Sequence, residues 1–139
     1  MLFRSPENAE QYDLAGYDYI ADAIDTVSAK IELICRAKAA GTPIISAMGA
    51  GNKLDPSAFR VADLAKTQVC PLAKIMRREL GARGILHLTV VYSEEKPHPS
   101  KLPGEHGKHT PASLSFVPPA MGLIMAGKIV RDLAGIEIS

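Results

Sequence analysis

The sequence predicts an α/β fold, a Rossmann-like three-layer arrangement around a mixed, mostly parallel sheet. Two observations predict it. Short apolar runs at 17–24 and 43–48 flank a helical pattern over 27–40, and strand–helix–strand alternation implies a parallel pair joined by a right-handed crossover. The first of these runs is not strictly alternating, as expected for a strand covered on both faces. It also closes on two acids, Asp22 and Asp25, at the sheet edge where ligands of open α/β sheets sit.

Taken in order, Ser5-Pro6-Glu7 carries a helix-start pattern, with serine as N-cap, proline at the first helical position and acids in the first turn. A short helix is expected there, through Leu14 and ending at Gly16. A strand over Tyr17–Ile24 follows, then a helix from Val27 to Ala40. On that helix Val27, Ile31, Ile34 and Cys35 share one face, and Gly41 is the stop. Pro43–Met48 reads as a second buried strand running into Gly49-Ala50-Gly51-Asn52, a turn that can leave backbone N–H groups exposed. Phe59–Ala65 alternates and suggests an edge strand. Pro71 opens a helix to about Ala82, burying Leu72, Ile75, Met76 and Leu80 and showing Lys74, Arg77, Arg78 and Glu79. Ile85–Ser93 is the clearest strand by β-propensity.

Residues 94–112 hold four prolines and three histidines with few apolar groups, so a flexible linker is expected. After Pro118-Pro119 comes a final helix to about Leu133. It is apolar nearly all round, and such a helix is buried or packs against a second copy.

At 139 residues and 47% apolar content the chain has the length and composition of one domain. A net charge of +1 gives no global field for nucleic acid or anionic membrane. Cys35 and Cys70 stand far apart with no Cys-x-x-Cys pair, which fits a reduced, cytoplasmic protein without structural zinc. No apolar run approaches the roughly 20 residues of a membrane helix. The N-terminus lacks the basic-then-apolar order of a signal peptide.

Each candidate site residue has a plain structural alternative. Asp22 and Asp25 can cap the following helix or serve a ligand, and Asp22 can instead be buried and hydrogen-bonded within the strand end. Cys70 precedes a helix whose dipole can lower a thiol's pKa, although a lone cysteine is usually inert; Cys35 falls on a buried face. His98, His106 and His109 could bind metal but lack helical ligand spacing, so a solvated loop is the better reading. Lys74, Arg77, Arg78 and Arg83 could meet phosphates or form a solvated helix face. The turn Gly49–Asn52 could bind an anion, with Lys53 as its charged companion, or be an ordinary tight turn.

Five motifs in order carry a resemblance: Asp-Ala-Ile-Asp-Thr (22–26), Ile-Ser-Ala-Met-Gly-Ala-Gly-Asn-Lys-Leu-Asp-Pro (45–56), Val-Ala-Asp-Leu-Ala-Lys-Thr (61–67), Pro-Leu-Ala-Lys (71–74) and Ser-Phe-Val-Pro-Pro-Ala-Met-Gly-Leu (115–123). Together they resemble the ThiF/MoeB/HesA superfamily of adenylating enzymes, and within it the tRNA threonylcarbamoyladenosine dehydratases, from about Tyr17 to Gly135. The resemblance implies ATP-dependent activation of a carboxylate as an acyl-adenylate, usually by a homodimer. In the dehydratase branch the carboxylate is that of threonylcarbamoyladenosine in tRNA, and attack by its own side chain closes a ring with loss of water.

On this resemblance Asp25 matches the aspartate that helps hold magnesium and the ATP phosphates. Thr26, Gly49, Gly51, Asn52 and Lys53 would line the pocket edge. The family's Gly-x-Gly-x-x-Gly loop, the acid after its second strand and the following Arg and Lys have no counterpart here. The expectation is therefore the C-terminal half of such an enzyme, a partial ThiF-type domain over 1–139, inactive alone and binding neither ATP nor magnesium tightly. Two alternatives accompany it. One is activation of a ubiquitin-like sulfur-carrier protein, with a sulfur-carrier or cysteine-desulfurase-associated partner and with Cys70 as acceptor thiol. The other is a non-catalytic dimerisation or partner-binding module whose open sheet edge invites pairing.

Overall fold

A computed structural model describes residues 12–98 and 114–138. Four strands form one sheet in the order β1 (Ile20–Asp22), β2 (Ile44–Ala47), β4 (Thr89–Ser93), β3 (Phe59–Asp63). The pairs β1–β2 and β2–β4 are parallel, whereas β3 runs antiparallel to β4 at the edge, so the sheet is mixed and mostly parallel. Helices α1 (Val27–Ala40) and α2 (Pro71–Gly81) pack on one face and α3 (Val117–Ala134) on the other.

The three layers follow from strand alternation, which sends neighbouring side chains to opposite faces. Ile44 and Val90 join Ile31, Ile34, Met76 and Leu80 in one core, while Ile45 and Val91 meet Val117, Met121 and Met125 in the other. Helix α1 ends where expected, on Gly41, whose φ of 71° is the left-handed conformation that glycine adopts without a Cβ penalty.

Several sequence expectations need correction. The helix expected from Ser5 lies largely outside the described residues; its end is a short 3₁₀ turn, Leu14–Gly16, capped by Asp13. β1 is shorter than 17–24, because its register against β2 runs only from Ile20↔Ile44 to Asp22↔Ser46 and the chain then leaves the ladder. β4 begins at Thr89, not Ile85: the Ile85 N–H instead closes the end of α2 on the Leu80 carbonyl, and Leu86 is exposed. The buried face of α2 is Ala73, Met76 and Leu80, which leaves Ile75 exposed on its flank. Helix α3 starts at Val117, earlier than expected. Both prolines then sit in its first turn, where their missing N–H groups are no loss. Only one side of α3 is buried, since Leu123, Val130 and Leu133 are exposed.

The Tyr19 hydroxyl donates to the Asp132 carboxylate at 2.7 Å, tying the start of β1 to the end of α3. Partial burial and that acceptor push the phenol from 10 up to about 12. The folded state therefore favours the protonated phenol, a contribution present below pH 10 and lost as pH rises through about 12. Alkaline unfolding should show a loss of stability between these values that Tyr19→Phe removes; if wild type and variant follow the same curve, the bond contributes nothing.

Candidate functional site

Beneath the strand tips lies a buried charge network. Asp22, the last residue of β1, and Lys30, one turn into α1, are 0% and 1% exposed and form an ion pair of 2.8 Å. The same carboxylate oxygen of Asp22 accepts from the Ser46 hydroxyl at 2.5 Å, and the other accepts from the Ile24 N–H at 3.0 Å. Lys30 Nζ also donates to the Ala47 carbonyl at 2.9 Å. Every atom of the pair that needs a partner thus has one, the condition under which a buried pair is tolerated. Of the readings open for Asp22, the structure shows the buried, hydrogen-bonded one: it locks the end of β1 to α1 and β2.

Above this network, at the carboxyl ends of β1 and β2, opens a cavity of about 660 Å³. Its rim is Ala23–Asp25 on one side and Ala47–Gly51 on the other; Leu72 of α2 and Pro118, Met121, Gly122 and Met125 of α3 complete the wall. A hollow of about 360 Å³ beside Tyr19 and Asp132 includes Pro43 and Ile44 at the start of β2, the opposite end from the ligand edge of such sheets.

The sequence candidates divide. Asp25, Gly49 and Gly51 line the cavity. Asp25 is exposed, and its carboxylate has no hydrogen-bond or ion-pair partner among the described residues. It does not cap α1, whose N-cap is Thr26, without a side-chain bond. Thr26 and Asn52 are not among the lining residues; Asn52 supplies the left-handed position of its turn, at φ 58°.

Lys53 also stands off the cavity, contrary to its expected place beside the turn. It is 2% exposed, and its Nζ donates to the Glu95 carbonyl. Burial pushes its pKa below the ordinary lysine value, against opposing pulls from Cys70 and Glu95. The Glu95 carboxylate in turn accepts the N–H groups of Leu54 and Asp55, at 3.0 and 2.9 Å, so the loop after the turn is strapped to the segment following β4.

Cys70 is buried in the core at the N-cap of α2. Cys35 is half-buried against the same core, and burial pushes its thiol pKa up. His98 is exposed and pairs with Glu95 at 2.9 Å; His106 and His109 lie outside the described residues. Among the described residues no cluster of three metal-ligating side chains occurs. On α2, Arg77 bonds Thr67, and Glu79 lies between Arg78 and Arg83, leaving Lys74 as an exposed cation of that set.

Sequence reasoning missed Lys30, Ser46 and the α3 side of the cavity. The signal for Lys30 was present: it shares the helix face of Val27, Ile31 and Ile34, where an unpaired lysine would be costly.

Asp25 brings a single carboxylate to the rim, one oxygen donor of the several a hard cation takes. Among the described residues no Lys, Arg or His lines the cavity.

Sheet order and layers define an α/β protein with a mixed, mostly parallel sheet and a cavity at its strand tips. No protein-family model matches the chain. A tRNA threonylcarbamoyladenosine dehydratase of Bacillus subtilis is 39% identical over 95% of this chain and 57% of its own length. Its Escherichia coli namesake is 38% identical over 67% of the chain and 38% of its own length. The E. coli enzyme solved in complex with AMP superposes with a TM-score of 0.78 at 28% identity, over 96% of this chain and 55% of that one. Its complex with ATP gives 0.71 at 30% identity, over 94% and 56%. By homology across nearly its whole length, this chain is a relative of the tRNA threonylcarbamoyladenosine dehydratases. It spans about half the length of the B. subtilis relative and of the solved E. coli chains.

Proposed function

We propose that these residues form part of an ATP-dependent tRNA-modifying enzyme that cyclises threonylcarbamoyladenosine. The observation that carries this reading is the cavity at the carboxyl ends of β1 and β2, with the unpartnered Asp25 carboxylate on its rim, in a chain whose relatives are dehydratases solved with AMP and ATP. ATP supplies the activation: the substrate carboxylate becomes an acyl-adenylate as pyrophosphate leaves, and ring closure expels AMP.

Asp25 would offer a carboxylate oxygen to magnesium, which when bound would supply positive charge beside the phosphates. The Asp22–Lys30 pair fixes the Ile24 N–H and the Ala47 carbonyl, and so the two strand tips that bound the cavity. Thr26, Asn52 and Lys53 serve the pocket edge through the turn and helix start, not by lining the cavity. Surface beyond these residues completes the nucleotide site, so the chain alone binds magnesium–ATP weakly and is inactive. The exposed apolar residues of α3 support pairing with a second copy, and a tRNA-modifying role is consistent with a cytoplasmic enzyme.

The test is mass spectrometry of nucleosides from tRNA treated with ATP, magnesium and the intact enzyme carrying these residues. Loss of one water from threonylcarbamoyladenosine is expected; an unchanged nucleoside beside adenylated sulfur-carrier protein would favour the other substrate. Cys70→Ala separates the two further. Burial of the thiol supports a packing role, so cyclisation should stay within about twofold of wild type after any loss of stability is allowed for, whereas an acceptor thiol's loss abolishes transfer.

A further inference from the structure

Glu95, two residues past the end of β4, has a partner at each of its polar groups. Its N–H donates to the buried Ser93 hydroxyl at 3.1 Å, and its carbonyl accepts from Lys53 Nζ. One carboxylate oxygen accepts the Leu54 N–H at 3.0 Å and lies 2.9 Å from Nε2 of His98; the other accepts the Asp55 N–H at 2.9 Å. Hydrogen bonds to a carboxylate are roughly twice as strong as neutral ones. The Glu95 side chain is 14% exposed, so water competes little for these bonds.

One wall of the strand-tip cavity hangs between this strap and β4. Before the turn, the Met48 N–H donates to the Val91 carbonyl at 2.9 Å. After it, the Asn52 carbonyl accepts the His98 N–H at 2.9 Å, and Lys53, Leu54 and Asp55 all bond Glu95. Gly49, Ala50 and Gly51 lie between these anchors and line the cavity. Among the described residues none forms a hydrogen bond with their backbone. Gly49 and Gly51 have no side chain, and what else holds the stretch is packing, with Ala50 on the α3 core and Gly49 beside Leu72. Apolar burial is non-directional, so the course of this backbone is set by its bonded ends.

We propose that Glu95 is a positioning residue: its carboxylate, by holding Leu54 and Asp55, fixes the Gly49–Gly51 wall of the cavity. The placement of the wall concerns this chain alone; its consequence for catalysis rests on the proposed function. Misplacement by about 1 Å can cost on the order of a hundredfold in rate, so a wall that drifts is felt in the chemistry.

Glu95→Ala isolates the carboxylate, because the bonds to Ser93 and from Lys53 use the Glu95 backbone and survive the change. Glu95→Gln keeps an acceptor oxygen in nearly the same shape. Tyr19→Phe, at the opposite end of the sheet, is the control for a general loss of stability.

In the ¹⁵N-labelled chain, Glu95→Ala should speed amide exchange at Leu54 and Asp55 by about tenfold or more, the scale of a lost bond to a charged acceptor. It should also shift the amide resonances of Gly49, Ala50 and Gly51. Glu95→Gln should produce smaller changes of the same kind, and Tyr19→Phe none at these residues. In the intact enzyme, cyclisation per folded molecule should fall about tenfold or more in Glu95→Ala and recover most of that loss in Glu95→Gln. Circular dichroism gives the folded fraction; a merely structural role lowers that fraction and leaves the rate per folded molecule unchanged. The proposal is overturned if the 49–51 resonances stay in place while Leu54 and Asp55 lose protection. It is equally overturned if Tyr19→Phe moves them as far, or if the rate per folded molecule holds in Glu95→Ala. Should wild-type enzyme leave the nucleoside uncyclised while Glu95→Ala moves the wall, the reaction assigned above fails and the placement of the wall by Glu95 stands.

Discussion

Lys30→Met is expected to destabilise the fold by about 3–5 kcal/mol, the cost of leaving a buried carboxylate without its cation. Asp22 is fully buried, and its remaining partners, the Ser46 hydroxyl and the Ile24 N–H, are neutral donors. Loss of the ammonium also strips the Ala47 carbonyl of its side-chain donor. Urea denaturation of the single variant and of Asp22→Ala/Lys30→Met checks the cause. With neither charge of the pair left, the double variant should recover much of the loss. If it is as unstable as the sum of both single variants, the uncompensated charge is not the origin of the effect.

Asp25→Asn should do the reverse, removing function and sparing the fold. The carboxylate is exposed and unpartnered among the described residues, so stability should change by less than about 1 kcal/mol, the scale of a charge near a helix N-terminus. Removing a group that only supports a metal ligand typically costs 10–100-fold; removing the ligand itself should reduce cyclisation in the intact enzyme by roughly two orders of magnitude. The measurement is the rate of cyclised nucleoside formation against magnesium concentration. A variant that keeps the wild-type rate and magnesium dependence excludes Asp25 from metal binding.

Much of the architecture could be read from local pattern. The bounds of α1 were legible because an apolar face at helical spacing ends on a glycine that must turn left-handed. The edge position of β3 was suggested by the alternation of its sequence and the strand does stand at the sheet edge, although its burial does not alternate: Phe59 enters one core and Ala62 packs against the other. Strand ends were less legible: 17–24 and 85–93 both contain apolar residues that look like strand, but ladder length depends on a partner elsewhere in the chain. Ile85 and Leu86 illustrate this, one bonded to the end of α2 and the other exposed.

For the site, residue type and place in the chain were enough to mark Asp25 and the turn Gly49–Gly51, because a ligand edge forms wherever parallel strands end. Sequence also carried the family resemblance. Only the tertiary structure decided that Asp22 and Asp25, three residues apart and alike in chemistry, have opposite fates. One meets the ammonium of Lys30 in the core, and the other faces open space beside α3. It likewise decided that Lys53 turns away to Glu95 and that methionines nearly a hundred residues downstream of Asp25 wall the cavity. The reason is physical: burial and charge pairing are set by groups distant in sequence, and a carboxylate's role depends on which of them the fold brings within reach.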